Sequence, residues 1–271
     1  MPAPKAEFPL VDEYVSTRLG PLLPTLPEGR HTVVESSRRL TAEQSYGYVH
    51  ALWWVWLADG RSVVSVPPGF AHEIRRLLGS PGSDEAIFED DLADRLRPPV
   101  DRALREAGLL STDRILLDLV LACDASLLRR HPHAACQALK DSAIPPADGL
   151  HLPTHCFPDG HVFGVVADGE IASFAFAHRS DVLENQVADI GVETAASHRR
   201  KGFARAVVSA LVADFVERGG EARYGCSPDN VASRATAASV GFVPYAKSMI
   251  LAAPRPQSPA SGHRGPGRPE F

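Results

Sequence analysis

Cysteine is scarce in this chain: four in 271 residues, and Cys123, Cys136, Cys156 and Cys226 include no C-x-x-C pair. That spacing suits a reducing cytoplasm better than a disulfide framework. No apolar run approaches the ~20 residues that a membrane span requires. The first residues, Met-Pro-Ala-Pro-Lys-Ala-Glu-Phe-Pro, lack the apolar core of a secretion signal, so the chain is expected in the cytoplasm without a membrane partner. Excess positive charge is missing too. Against 33 Asp and Glu stand 28 Lys and Arg, a formal net charge of -5, which argues against a broad nucleic-acid surface. What remains, 44% hydrophobic and 23% charged residues, is the composition of an ordinary soluble globular protein. The length is comfortable for two domains.

The metal-capable residues fall in two small groups, His131, His133 and Cys136, then His151, His155 and Cys156. Their spacings match no zinc-ligand pattern, and no metal is expected.

Taken in order, the first thirty residues are proline-punctuated, with one helix around Leu10 to Leu19. Tyr48 to Leu57 is an aromatic, branched strand-like run. Asp59-Gly60 then signals a tight hairpin returning through Arg61 to Val66. The three tryptophans in the run, Trp53, Trp54 and Trp56, are expected in a core or domain interface. Phe70 to Leu78 reads as helical. Ile87 to Leu109 reads as helix broken at Pro98-Pro99. Arg114 to Ala122 is apolar enough for a strand or a buried helix. Leu127 to Lys140 reads as a helix interrupted at Pro132, and Ile144 to Gly149 as a domain linker. A second hairpin follows: Val162 to Val166, the turn Asp168-Gly169, then Ile171 to Phe176. Residues 187–194 form the next strand, Glu221 to Cys226 another, and Asn230 caps a helix to about Val240 with Gly241 as its stop. Phe242 to Leu251 is a last strand. The Pro/Gly/Ser-rich tail 253–271 is expected to be disordered.

Between the strands at 187 and 221 lies the stretch that organises this half. Phe203, Val207, Val208, Leu211, Val212, Phe215 and Val216 share one helical stripe, and Gly219-Gly220 ends it. The helix start is unusual. His198, Arg199, Arg200, Lys201 and Arg205 crowd the end of a helix that normally attracts acidic groups. A bound anion removes that conflict, because free N–H groups, helix dipole and basic side chains then converge on it. Gly202 removes a Cβ where a ligand approaches the backbone, and Ala204 keeps the next such position small.

From about residue 150 to 252 the order of elements resembles the GNAT acetyltransferase superfamily. Arg199-Arg200-Lys201-Gly202-Phe203-Ala204 fits its acyl-CoA loop, [RQ]-x-x-G-x-[GA], and Asn230-Val231-Ala232-Ser233 with Gly241-Phe242 looks like its downstream N-x-x-[AS]…G-F segment. The resemblance implies an α/β (α+β) fold with a mixed, mostly antiparallel sheet flanked by helices over 146–252. Residues 1–145 would then be an additional α/β domain. Ala58-Asp59-Gly60 echoes Ala167-Asp168-Gly169, so that domain is either a degenerate second copy or a separate fold shaping the acceptor pocket.

The resemblance further implies acetyl-CoA as co-substrate and an amine of a small molecule or protein as acceptor, in a monomer or homodimer. Backbone N–H groups from Arg200 through Lys201, Gly202, Phe203 and Ala204 to Arg205 would hold the pyrophosphate. Arg199, Arg200, Lys201 and Arg205 would add charge. The edge Val192–Thr194 would pair with the pantetheine arm where two strands splay, and Asn230 and Ser233 would lie near the pantetheine and thiol.

Acetyl transfer to an amine needs a base. Glu193 and Asp189 fall on one face of the strand; either qualifies, and Glu193 sits where the thioester should lie. It also needs an acid for the thiolate. Many members carry a tyrosine seven residues after the Asn, but this chain has Ala237 there. Tyr245, Tyr224, Cys226, Ser233 or a water are the replacements on offer. A protein of the same fold that binds acyl-CoA without turning it over is the competing reading.

Overall fold

A computed structural model of the protein describes residues 7–20, 23–27, 31–43, 47–79, 90–140, 144–152, 161–178, 180–183 and 185–255. The readings that fall on His155, Cys156 and the tail from 256 onward lie outside the described residues. The chain forms two compact units, one gathering Met1–Tyr14, Val120–Gly225 and Val231–Tyr245, the other Val15–Leu119, Cys226–Asn230 and Ala246–Phe271. Helix α1 (Pro9–Leu19) and strands β4 (Arg114–Cys123), β9 (Glu221–Cys226) and β10 (Val243–Pro254) each contribute to both.

In the second unit, β1 (His31–Glu35) runs parallel to β3 (Ser62–Val66), and β2 (Tyr48–Leu57) runs antiparallel to β3 and to β10. The hairpin turn is set by Asp59, whose carboxylate accepts from the Arg61 backbone N–H at 3.0 Å and from its Nε at 2.8 Å. The tryptophans are core. Trp54 packs with Leu52, Val64, Ile74, Leu96 and Leu251. Trp53 and Trp54 satisfy their indole N–H groups on Ser248 and Ser62, both at 2.8 Å, as buried indoles require. Helix α2 (Ala71–Leu78) follows, then α3 (Asp90–Glu106). The break expected at Pro98-Pro99 does not occur: α3 runs straight through. Leu92, Leu96, Val100 and Leu104 line one face of it in the core, and that burial outweighs the backbone bonds the two prolines forfeit.

Arg39 of this unit is fully buried. Its guanidinium donates to the carbonyls of His50 at 3.1 Å and Arg18 at 2.8 Å. Burial pulls its pKa down to about 10, and Arg18 forms the companion ion pair with Glu43.

In the first unit the strand order is β9-β8-β7-β6-β5. It comprises β5 (Cys136–Ala138), β6 (Val162–Ala167), β7 (Glu170–Ala177), β8 (Val187–Thr194) and β9. All pairs are antiparallel except β8 with β9, which are parallel and joined by helix α4 (Phe203–Val216). The sheet in each unit is thus mixed and mostly antiparallel. Asp168 and Gly169 both take positive φ, 55° and 83°, the two-residue hairpin geometry that a D-G pair favours. Helix α4 buries Val207, Val208, Leu211, Val212 and Phe215 against the sheet. It ends where Gly219 turns left-handed (φ 79°) and Gly220 N–H donates to Phe215 O, the closure expected at a helix C-terminus. Helix α5 (Val231–Val240) packs beside α4.

Two readings of this unit are corrected. Leu127 to Lys140 is not a helix: a turn closed by Asp124 leads into extended chain and β5. The segment spends its backbone donors on other elements, Arg129 N–H on Val240 O at 2.7 Å and His131 N–H on Ser209 Oγ at 3.1 Å. Nor is 144–149 a loose linker. Ala147 N–H donates to Ile171 O and Ile171 N–H to Pro145 O, while Ile144, Ala147 and Leu150 pack with Val162 and Phe174. The last strand also outruns its expected end, reaching Pro254. The ambiguous stretch at 114–122 is strand β4. No helix among the described residues is long and apolar enough to cross a membrane.

Candidate active site

The site is built on an interruption in a sheet. Strand β8 pairs with β9 from Val187↔Glu221 to Ile190↔Tyr224, and there the pairing stops. On its other side β8 stays bonded to β7 as far as Thr194↔Ser173. Residues Gly191 to Thr194 therefore present an edge that β9 does not pair with. Such an edge carries backbone donors and acceptors at strand spacing, able to receive an extended amide-containing chain. Ser173 stiffens its end, donating to Glu193 O at 2.9 Å and bonding the Thr194 hydroxyl at 2.7 Å.

Directly beyond the edge, residues 196–198 make one tight turn and the chain enters the basic loop. Arg199 Nε donates to Thr194 O at 3.4 Å. Arg200 is held left-handed at φ 63° and Gly202 at φ 82°; for the arginine that costs about 1 kcal/mol or more. Gly202 begins α4 with no side-chain cap and no acidic residue in the first turn. A Cβ on Gly202 would come within 3.0 Å of the Arg205 guanidinium. The uncapped N–H groups and positive dipole thus meet Arg199, Arg200, Lys201 and Arg205 at one place, an arrangement suited to a phosphate.

Two histidines sit here as well, His198 from the basic turn and His133, which the sequence did not place at this site. The His198 ring stacks on Phe203 with centroids 6.1 Å apart and pairs through Nδ1 with Lys201 Nζ at 3.2 Å. His133 meets the same Phe203 ring edge-on at 5.2 Å. His133 lies 70 residues upstream of Phe203 in the sequence, and no local pattern announced the contact.

The two candidate bases have different surroundings. Asp189 is buried, paired with Arg223 Nη1 at 2.5 Å, and accepts from Tyr14 Oη at 3.2 Å. Glu193 is half-buried on the same face, opposite Phe174 of β7. Its carboxylate is reached by the His151 backbone N–H at 3.5 Å. Burial pushes its pKa above the ordinary glutamate value, offset in part by that N–H. An elevated carboxyl pKa is what a base needs to take a proton from an ammonium ion near neutral pH.

Of the remaining sequence candidates, Tyr245 donates to Asp12 Oδ1 at 2.6 Å, with Phe8 edge-on to its ring. Ser233 bonds the Tyr224 hydroxyl at 2.7 Å. Asn230 immediately precedes α5 and its N–H donates to Ser227 O at 3.0 Å. Ala237 is fully buried. Among the described residues no group of three or more His, Cys, Asp and Glu is placed to hold a metal ion. His131 instead contacts Ser239 O through Nε2 at 2.9 Å.

No curated protein sequence matches the chain at a significant level. Solved structures that match include a GNAT-family acetyltransferase from Novosphingobium aromaticivorans DSM 12444, 18% identical, covering 53% of this chain and 67% of that one at a TM-score of 0.43. A GCN5-related N-acetyltransferase from Kribbella flavida is 20% identical over 58% of this chain and 64% of its own, at 0.37. A tandem GNAT protein from the clavulanic acid biosynthesis pathway is 16% identical over 58% of each, at 0.39. The chain spans less than two thirds of the length of the latter two. In the sequence itself, residues 133–242 match the model of the Acetyltransferase (GNAT) family.

Proposed function

We infer that the GNAT-like half transfers the acetyl group of acetyl-CoA to a primary amine of a small molecule or protein by direct attack. The observation that carries this reading is the parting of β8 from β9 after Ile190 and Tyr224, next to an uncapped basic helix start. Together they offer one continuous track. The pyrophosphate is held by backbone N–H groups from Arg200 to Arg205, aided by the Arg199, Arg200, Lys201 and Arg205 side chains. The pantetheine amides lie along Val192–Thr194 as an added strand, and Asn230 and Ser233 lie beside the pantetheine and thiol. A backbone N–H of the edge polarises the thioester carbonyl.

Acetyl-CoA is a substrate in this scheme and brings an activated acyl group. The chain's own task is to orient it and move two protons. Glu193 takes the proton from the acceptor ammonium, directly or through water. Asp189, closed in its pair with Arg223, positions the strand instead. Tyr245 is engaged with Asp12, so we assign it no part in proton transfer.

The test is acetyl-CoA turnover with thiol detection over an amine panel. Release of CoA that depends on an amine supports transfer. Tight acetyl-CoA binding with no amine-dependent release, unchanged by Glu193→Gln, favours the second reading, a non-catalytic acyl-CoA binder, which Ala237 motivates.

A further inference from the structure

The sequence leaves one chemical job without an owner. When an amine attacks the thioester, the new N–C bond forms, the C–S bond breaks, and the electron pair leaves on sulfur. That sulfur needs a proton. The helical position where a phenol is expected is Ala237, fully buried and without a proton to give.

The track described above has a direction. It starts at the α4 N-terminus, runs along β8 from Thr194 back toward Gly191, and ends at the fork where Ile190 still faces Tyr224. The end of an extended arm laid on this edge therefore arrives beside Tyr224. This tyrosine is 1% exposed, with Phe242 edge-on to its ring at 5.5 Å. Its hydroxyl bonds Ser233 Oγ at 2.7 Å, and Ser233, in the first turn of α5, is only half-buried. A phenol in the core thus backs the hydroxyl of a half-buried serine.

We propose that Ser233 protonates the departing CoA sulfur and is itself reprotonated by Tyr224, so that a strand tyrosine replaces the absent helix one. This rests on the transfer reading above. The Ser233 hydroxyl proton passes to sulfur as the C–S bond breaks, and the Tyr224 phenol proton passes to Ser233. The first proton, taken from the ammonium by Glu193, goes to solvent, and the phenolate regains through water the second, shed by the nitrogen as the amide forms. The sum is ammonium plus acetyl-CoA giving amide, CoA thiol and one proton. Phenols and alkyl thiols have ordinary pKa values within about two units of each other, so the proton can move either way without a large barrier. Ser233 is the group that meets sulfur, and Tyr224 acts through it.

Tyr224→Phe, Ser233→Ala and the double variant are compared with wild type, folding being checked by thermal melting; the phenylalanine keeps the ring contact with Phe242. Each single variant should lower kcat about 10- to 100-fold with KM for acetyl-CoA within about twofold. The double variant should be no slower than the worse single one, because the two groups act as a unit. In binding alone, Ser233→Ala should weaken CoA about threefold or more while leaving desulfo-CoA unaffected. Wild-type kcat in Tyr224→Phe, additive losses, or equal weakening of CoA and desulfo-CoA would each overturn the proposal while leaving acetyl transfer standing. A wild-type protein that binds acetyl-CoA but acetylates no amine overturns both.

Discussion

Helices α2 and α4 begin in opposite electrical company, and the contrast separates charge that the chain balances itself from charge that we propose is kept for a ligand. At α2 the chain provides its own anion: Glu35 of β1 accepts the Ala71 N–H at 3.1 Å. The N–H groups of Gly69 and Ala71 hold its pKa below the ordinary range. Helix α1 is treated alike, with the Glu221 carboxylate accepting the Val11 N–H at 2.9 Å. Helix α4 has no acidic residue in its first turn and no side-chain cap, and its start is crowded by arginines, a lysine and a left-handed glycine. The same division appears along β8. Asp189 is neutralised internally by Arg223, whereas Glu193 meets, among the described residues, the backbone N–H of His151. Charges that find partners inside the chain serve folding, and the charges proposed above to serve chemistry stand apart from them.

The largest expected effect tests the internal side of that division. Asp189→Asn leaves the buried Arg223 guanidinium without its counter-charge and should cost about 3–5 kcal/mol in urea unfolding. Glu193→Gln should cost under about 0.5 kcal/mol. If Asp189→Asn unfolds like wild type and loses turnover instead, the two carboxylates have been assigned the wrong way round.

Giving α4 the anion that α2 already has is the next test. Gly202→Glu places a carboxylate at the basic start and should weaken acetyl-CoA binding at least about 100-fold by calorimetry. Gly202→Ala carries the same backbone strain, about 1 kcal/mol, but no charge, and should weaken it less than tenfold. Equal losses in both would trace the effect to backbone shape.

Glu193→Gln should lower kcat about 100-fold without changing acetyl-CoA affinity. Because burial raises its pKa, the acidic limb of wild-type kcat/KM should lie above the ordinary glutamate value of about 4.3 and vanish in the variant. A limb that survives Glu193→Gln assigns the base elsewhere.

Glu35→Gln is the smallest effect. The helix-start interaction should contribute about 0.5–1 kcal/mol near neutral pH. Since the folded pKa is lowered, this stability is present above the unfolded value and lost as pH falls through the folded one. Melting curves of variant and wild type should therefore converge in acid. Curves that stay apart would mean Glu35 acts through packing.

How far the sequence reached follows the range of the interactions involved. The hairpins at Asp59-Gly60 and Asp168-Gly169, the limits of β8 and the stop of α4 rest on neighbouring residues, and all were legible. The helix expected at 127–140 failed because its backbone is claimed from afar. Arg129 donates to Val240 O, and Gly241 must lack a Cβ, which would otherwise come within 2.0 Å of Leu127 O. Helix α3 survived two prolines for a similar reason, since its burial is tertiary. Within the site, the basic turn was legible because its oddity is local. The Asp189–Arg223 pair, the Tyr224–Ser233 bond and the His151 contact to Glu193 are made by the fold, and no spacing encodes them.

Gly191 shows what the parted strand implies for the drift of such a sequence. It sits between Asp189 and Glu193, paired with Phe176 of β7, and a Cβ there would come within 2.4 Å of that buried ring. Any other residue at 191 must displace the ring or pry β7 from β8 at the point where β8 has already lost β9. The position is therefore closed to single changes. Variation at this end of β8 has to enter elsewhere, beginning with His151, whose backbone N–H reaches the Glu193 carboxylate.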